Sequence, residues 1–108
     1  MIKKSFERYL YFQPETPVHK DLESFFTEEV ALEIDIIIDV LNQSVLSEET
    51  LIILNEIYLR IQKAGFCMVI IKSNLTNIFN YKNLVCITTL QEAEDYIEME
   101  FIQRDLGM

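Results

Sequence analysis

The sequence predicts a single α/β domain over residues 1–108, in which helices pack on a mainly parallel sheet of about four strands. Three observations lead to this fold class. The run Ile34–Val40 is short, β-branched and almost wholly apolar, which is typical of a strand buried on both faces. Apolar strands alternate along the chain with segments of helical periodicity. The chain of 108 residues has the length of one domain and shows no linker or internal repeat.

The predicted strands are the segments richest in apolar, aromatic and β-branched residues, near 6–12, 34–40, 67–72 and 84–88. The first follows from the aromatic stretch Ser5–Phe12, and Pro14 ends it because proline donates no hydrogen bond to a sheet. Residues 74–81 are polar and rich in asparagine, so we expect a turn there.

Three helices are predicted between and after these strands. Thr16, followed by proline, is placed to cap the first helix. Ser47 can cap the second, and Gly65 supplies the left-handed residue that ends it. Thr89 begins a capping box that opens the last helix, which runs to about Arg104.

Apolar residues on two sides of the second helix predict both a core face and a contact surface. The residues predicted to face the core are Leu54, Ile57, Tyr58 and Ile61. Ile52 and Leu59, seven residues apart, lie instead among polar side chains. We expect this outward apolar spot to contact a partner.

The last helix carries two apolar stripes. The stripe expected to pack on the sheet consists of Leu90, Ala93, Ile97 and Phe101. A second stripe of Met99, Ile102 and Leu106 is rotated from it by roughly 150°. One helix cannot bury both stripes in one core, so we expect the second to bind another chain, either a homodimer mate or a partner protein.

Composition excludes several functions. Eighteen acidic against nine basic residues give a net charge of −9, which argues against direct binding to nucleic acid. The only glycines, Gly65 and Gly107, cannot form a phosphate-binding loop. One histidine, His19, and two cysteines, Cys67 and Cys86, are too few for a closed zinc site. We therefore expect no metal and no cofactor, and we interpret both thiols as small core residues.

Asp39 is the residue best placed for catalysis, because it ends the central strand at the edge where α/β folds carry chemistry. The position is similar to the phosphoacceptor of a response-regulator receiver domain. The preceding chain is too short for such a domain, so we interpret Asp39 as a partner of loop amides and the protein as no enzyme. No apolar run approaches the ~20 residues of a membrane helix, so we expect a cytoplasmic protein.

The segment from Asp39 to Leu51 resembles the signature of STAS domains (sulfate transporter and anti-sigma factor antagonist), roughly D-L-S-x-V-x-F-I-D-S-S-G-L. The matches and replacements, in chain order, are Asp39 on the leading Asp, Val45 and Leu46 on an apolar pair, Ser47 on the second Asp, Glu48 and Glu49 on the two serines, Thr50 on the glycine and Leu51 on the final Leu. The resemblance covers residues ~30 to 100 and implies a STAS-like (SpoIIAA-like) α/β sandwich.

The resemblance also implies a function. In STAS antagonists a serine of this stretch is phosphorylated by a partner kinase that is also the anti-sigma factor. Here Glu48 and Glu49 replace the phosphorylatable serines, so the acids imitate the phosphorylated state or the switch is absent. The simpler alternative is that both are ordinary first-turn acids, which the helix dipole favours. We expect a protein-binding domain that contacts an anti-sigma-type regulator through Ser47, Glu48 and Glu49.

The C-terminal sequence, E-A-E-D-Y-I-E-M-E-F-I-Q-R-D-L-G, is similar to short STAS-like proteins of the Bacteroidota, some of which carry the name ribonuclease Z. That metallo-nuclease needs several histidine ligands, and this chain has one histidine. The alternative hypothesis is therefore an accessory partner of an RNA-processing metallo-nuclease, not a nuclease itself.

Overall fold

The computed structural model describes residues 2–15, 17–28, 34–43, 46–72 and 84–107. The strands are β1 (Ile2–Ser5), β2 (Tyr9–Gln13), β3 (Asp35–Asp39), β4 (Met68–Ile71) and β5 (Val85–Ile87). The helices are α1 (Val18–Glu28), α2 (Glu48–Lys63) and α3 (Leu90–Asp105). The predicted cap at Thr16, Val45 of the signature and the predicted turn at 74–81 lie outside the described residues.

One sheet holds all the described strands in the order β1-β2-β3-β4-β5. The pairs from β2 to β5 are parallel, whereas β1 and β2 are antiparallel. The predicted α/β class with a mainly parallel sheet is confirmed. The two edges are β1, which includes Lys3 and Lys4, and the three-residue β5.

The predicted count of four strands is wrong, because Ser5–Phe12 does not form a single strand. Ser5 ends β1, and the backbone N–H of Phe6 donates to the carbonyl of Tyr9 at 2.9 Å, which closes a tight turn. The charged Glu7 and Arg8 are exposed at this turn. The aromatic stretch thus folds as a hairpin, which adds a fifth strand to the sheet.

The predicted central strand is confirmed as β3, which pairs with β2 on one side and β4 on the other. Ile36, Ile37 and Ile38 have no exposed surface. Side chains alternate between the two faces. The first core cluster, on the face covered by α1 and α2, contains Ile36 and Ile38, whereas Ile37 belongs to the cluster beneath α3.

The signals that delimit α2 act as predicted. The Ser47 side chain accepts a hydrogen bond from the backbone N–H of Thr50, and Gly65 adopts a φ of 90° just beyond the helix. The predicted core residues Leu54, Ile57 and Ile61 are fully buried. Tyr58 is only partly buried, at the margin of the same cluster.

The inward stripe predicted for α3 is only half correct. Ala93 and Ile97 are buried beneath the helix, but Leu90 and Phe101 are 41% and 39% exposed. Arg104 accounts for the rotation of the helix. At 100° per residue, its side chain lies on the same side of α3 as Ala93 and Ile97. It donates a hydrogen bond to Asp35 in β3 and so turns that side towards the sheet. Phe101 then lies to one side, where the Cζ atom of Arg8 is 4.3 Å from the centroid of its ring.

Candidate partner-binding surfaces

The start of α2, where the end of the signature lies, is a hydrogen-bonded turn. The Ser47 hydroxyl accepts from the backbone N–H of Thr50 at 3.1 Å, and the two side-chain oxygens are 2.8 Å apart. Thr50 is buried, with 2% of its surface exposed. Both hydroxyl groups of this turn are therefore engaged in the fold.

Glu48 and Glu49 occupy the first turn of α2 and are exposed to solvent. Their negative charges lie at the positive end of the helix dipole, which favours them there. Nε2 of His19, from α1, lies 3.9 Å from a carboxylate oxygen of Glu49, so protonation of His19 completes an ion pair between the helices. The structure thus places two exposed carboxylate side chains on the first turn of α2.

The outward apolar residues of α2 lie on the same side of the helix as these acids. Ile52 and Leu59 are each 47% exposed, as their spacing predicts. We name the surface formed by Ser47, Glu48, Glu49, Ile52 and Leu59 the α2 surface. Its exposure follows from the structure, whereas its role in binding stays a prediction.

The outward stripe of α3 is exposed as well. Met99, Ile102 and Leu106 are 60%, 48% and 65% exposed, and we name them the α3 stripe. The helix continues past all but the last of them, to Asp105. Because α2 and α3 pack on opposite faces of the sheet, the α2 surface and the α3 stripe are two separate surfaces.

Asp39 is held by the fold at the carboxyl end of β3. One carboxylate oxygen accepts from the backbone N–H of Leu41 at 3.0 Å, and the other accepts from the hydroxyl of Tyr11. The interpretation of Asp39 as a partner of loop amides is confirmed, but sequence reasoning missed Tyr11. Burial, assisted by the Asp39 carboxylate, raises the pKa of the Tyr11 hydroxyl, so it remains a donor at physiological pH.

A second buried carboxylate, Asp35 at the start of β3, was not anticipated as a structural group. Arg104 donates from Nη2 to Asp35 and from Nη1 to the carbonyl of Gly65 at 3.1 Å. The other Asp35 oxygen accepts from the backbone N–H of Cys67 at 2.9 Å. The last turn of α3 is thereby fastened to β3 and to the end of α2. The signal for this role in the sequence was an acidic residue at the start of an apolar strand.

The two thiols are half-buried, so their interpretation as core residues is only partly correct. Burial raises the pKa of Cys86 to about 11, and the positive charge of Lys72 opposes that rise. Burial and the nearby Asp35 raise the pKa of Cys67. Lys72, which follows β4, is itself fully buried. Sequence reasoning missed it, although a lysine directly after an apolar strand was visible.

We expect these thiols to react slowly at neutral pH. With a pKa of about 11, Cys86 carries roughly one hundredth of the reactive thiolate that a thiol with the ordinary pKa of 9.0 carries at neutral pH. Iodoacetamide labelling, followed by intact mass, should be about 100-fold slower in the folded chain than in urea at about pH 8. Equal labelling rates in both states would contradict the expectation.

The raised pKa of Cys86 also bears on stability. It stabilises the folded state at pH values below the pKa of the unfolded thiol, and this contribution is lost as the pH rises towards 11.

Within the part of the chain that the structure describes, no three acidic, histidine or cysteine side chains are grouped as metal ligands. None of the described helices combines the length and the apolar composition that crossing a membrane requires.

The sequence comparisons give no family, since neither a family model nor a curated protein matches this chain. The fold is similar to that of a solved structure, which confirms the predicted α/β architecture with a mainly parallel sheet. The solved structure in question is the NMR structure of the protein TM1081, with a TM-score of 0.69 and 14% sequence identity. The alignment covers 89% of this chain and 86% of that one, and at this identity it establishes the fold alone.

Proposed function

We propose that this chain is a non-enzymatic protein-binding domain that acts in the manner of anti-sigma factor antagonists, with the α2 surface as its contact for a regulator. The observation that carries the proposal is the pair of exposed carboxylates, Glu48 and Glu49, on the first turn of a capped helix, in a segment that resembles the STAS signature. A carboxylate bears about one negative charge, against ~1.5–2 for phosphate, and cannot be removed by a phosphatase. The domain would then hold one binding state permanently.

The engagement of the reactive groups supports a binding role over catalysis. Asp39 is bonded to Tyr11 and Leu41, and Asp35 is bonded to Arg104. The pKa of both thiols is raised, which suppresses nucleophilic reactivity. Chemistry at these groups would require breaking contacts that hold the fold together.

The test is affinity capture from a native lysate of the source organism, followed by binding of the purified captured protein. We expect the double variant Glu48→Lys, Glu49→Lys to weaken that binding at least about tenfold, because both charges lie in the contact. Glu23→Lys, an exposed charge reversal on α1, is the matched control and should change little. Equal binding by wild type and the double variant would refute a role for the α2 surface.

A second measurement examines the α3 stripe. Changing Met99, Ile102 and Leu106 together to Ser should leave the fold intact, because all three are exposed. If the stripe contacts a regulator or a second copy of the chain, the triple variant loses capture or self-association measured by light scattering. Unchanged values in both assays would exclude the stripe from binding.

We also expect no phosphate on the aligned hydroxyl groups. Ser47 is occupied as the cap of α2, and Thr50 is buried. Phosphorylation of Ser47 would break the cap hydrogen bond to the backbone N–H of Thr50, and Thr50 itself has only 2% of its surface exposed. Protein purified from its native cells should show no stoichiometric phosphate on Ser47 or Thr50 by mass spectrometry, and its detection would show that a switch persists at this site.

A further inference from the structure

The two faces of the sheet are covered unequally. α1 and α2 both contribute to the cluster on one face, whereas among the described helices only α3 packs on the other, over β4 and β5. Five strands at about 4.8 Å spacing span about 19 Å, and packed helices lie about 8–10 Å apart, so each face has room for two helices. The described helices therefore leave a strip about one helix wide uncovered over β1 and β2.

This strip is a groove with an aromatic floor, which we name the β1–α3 groove. Its floor includes Ile2, Phe6, Tyr9 and Tyr11, and Leu90 lies in the facing wall. The rings of Phe6 and Tyr9 stack with centroids 4.8 Å apart. Ile2 and Phe6 are 42% and 47% exposed, so both apolar side chains are accessible from the groove. Two adjoining hollows of about 350 and 520 Å³ make up the groove.

The charges of the groove are unevenly placed. Glu94 and Glu98 line the α3 wall, and Lys4 lies on the β1 side. Arg8 pairs with Glu98 at one end. Burial, together with the charge of Glu94 and a hydrogen bond to it, raises the pKa of Tyr9, and Glu94 lines both hollows of the groove. The carboxylate of Glu94 thus faces any occupant of the groove.

A second copy of the chain is a poor occupant. Each copy carries a net charge of −9, and the exposed side of α3 has the acids Glu92, Asp95, Glu98 and Asp105. Placing the α3 of one copy beside the α3 of another would bring these acids against the acidic wall. Charge complementarity instead favours a positively charged occupant.

We propose that the β1–α3 groove binds one amphipathic helix of another protein, with apolar residues at i, i+3 and i+7 on the aromatic floor and Lys or Arg side chains towards Glu94. The groove lies on the face of the sheet opposite the α2 surface, so both sites can be occupied together. This goes beyond the proposed function, because the domain then joins two proteins.

The probe is a synthetic 18-residue amphipathic helix of leucine and lysine, compared with a peptide in which glutamate replaces every lysine. Binding to the purified chain is measured by fluorescence anisotropy. We expect the lysine peptide to bind at least about tenfold more tightly than the glutamate peptide. Phe6→Ser with Leu90→Ser, both exposed positions, should weaken it at least about tenfold.

The matched control is Leu41→Ser, compared with Leu90→Ser alone, because Leu41 is 42% exposed against 41% for Leu90 and lies outside the groove, the α2 surface and the α3 stripe. It should bind the lysine peptide as wild type does. The proposal is overturned by no binding, by equal loss in Leu90→Ser and Leu41→Ser, or by a wild-type dimer that the groove variant dissociates. Capture of a regulator through Glu48 and Glu49 is a separate assay, so either proposal can fail alone.

Discussion

Replacing Phe12 with alanine is expected to lower the free energy of unfolding by about 3–5 kcal/mol, as is usual when a fully buried aromatic side chain is truncated. Phe12 has no exposed surface, and its ring lies 4.3 Å from that of Phe25 in α1. The substitution leaves a cavity where β2 meets α1. Urea denaturation followed by circular dichroism measures the change.

Phe6→Ala is the matched control, since Phe6 lies on the same hairpin but is 47% exposed. Its removal should cost about 1 kcal/mol or less. Similar losses for the two variants would mean that the ring of Phe12 is not in the core.

Arg104→Met is expected to lower the free energy of unfolding by about 3 kcal/mol, because it leaves the buried Asp35 carboxylate without its positive partner. The methionine retains much of the apolar stem, so the loss reports the charge and its hydrogen bonds. Urea denaturation measures this change as well.

Lys63→Met is the control for removing a positive charge, because Lys63 is exposed in the last turn of α2. It should change stability by about 0.5 kcal/mol or less. The double variant Arg104→Met, Asp35→Leu should recover part of the loss if the unpaired carboxylate is its cause. A stable Arg104→Met variant would show that the pair contributes little.

Features of the fold that depend on neighbouring residues were predictable from the sequence. The burial of β3 follows from its isoleucines, and the ends of α2 follow from Ser47 and Gly65. These signals act within a few residues, so no tertiary contact needs to be known. The exposure of Ile52 and Leu59 follows from helical periodicity in the same way.

Contacts between distant parts of the chain were not predictable. Arg104 and Asp35 are 69 positions apart, and their ion pair determines which residues of α3 face the sheet. Periodicity alone therefore misplaced Leu90 and Phe101. The turn of the β1–β2 hairpin was missed because Phe6 continues the aromatic pattern of β2, although its backbone bonds to Tyr9. The identity of a partner depends on residues of another molecule.

The two edges of the sheet bear on how the protein behaves at high concentration. An exposed edge strand can recruit strands from other molecules and so begin an intermolecular aggregate. On β1, a strand added by another copy would bring more lysines beside Lys3 and Lys4, and like charges would oppose the pairing. On β5, three residues offer too few hydrogen bonds to hold an added strand. Both edges of the sheet are thus protected against the addition of strands from other molecules. The lysines protect β1, and the short length of β5 protects the other edge.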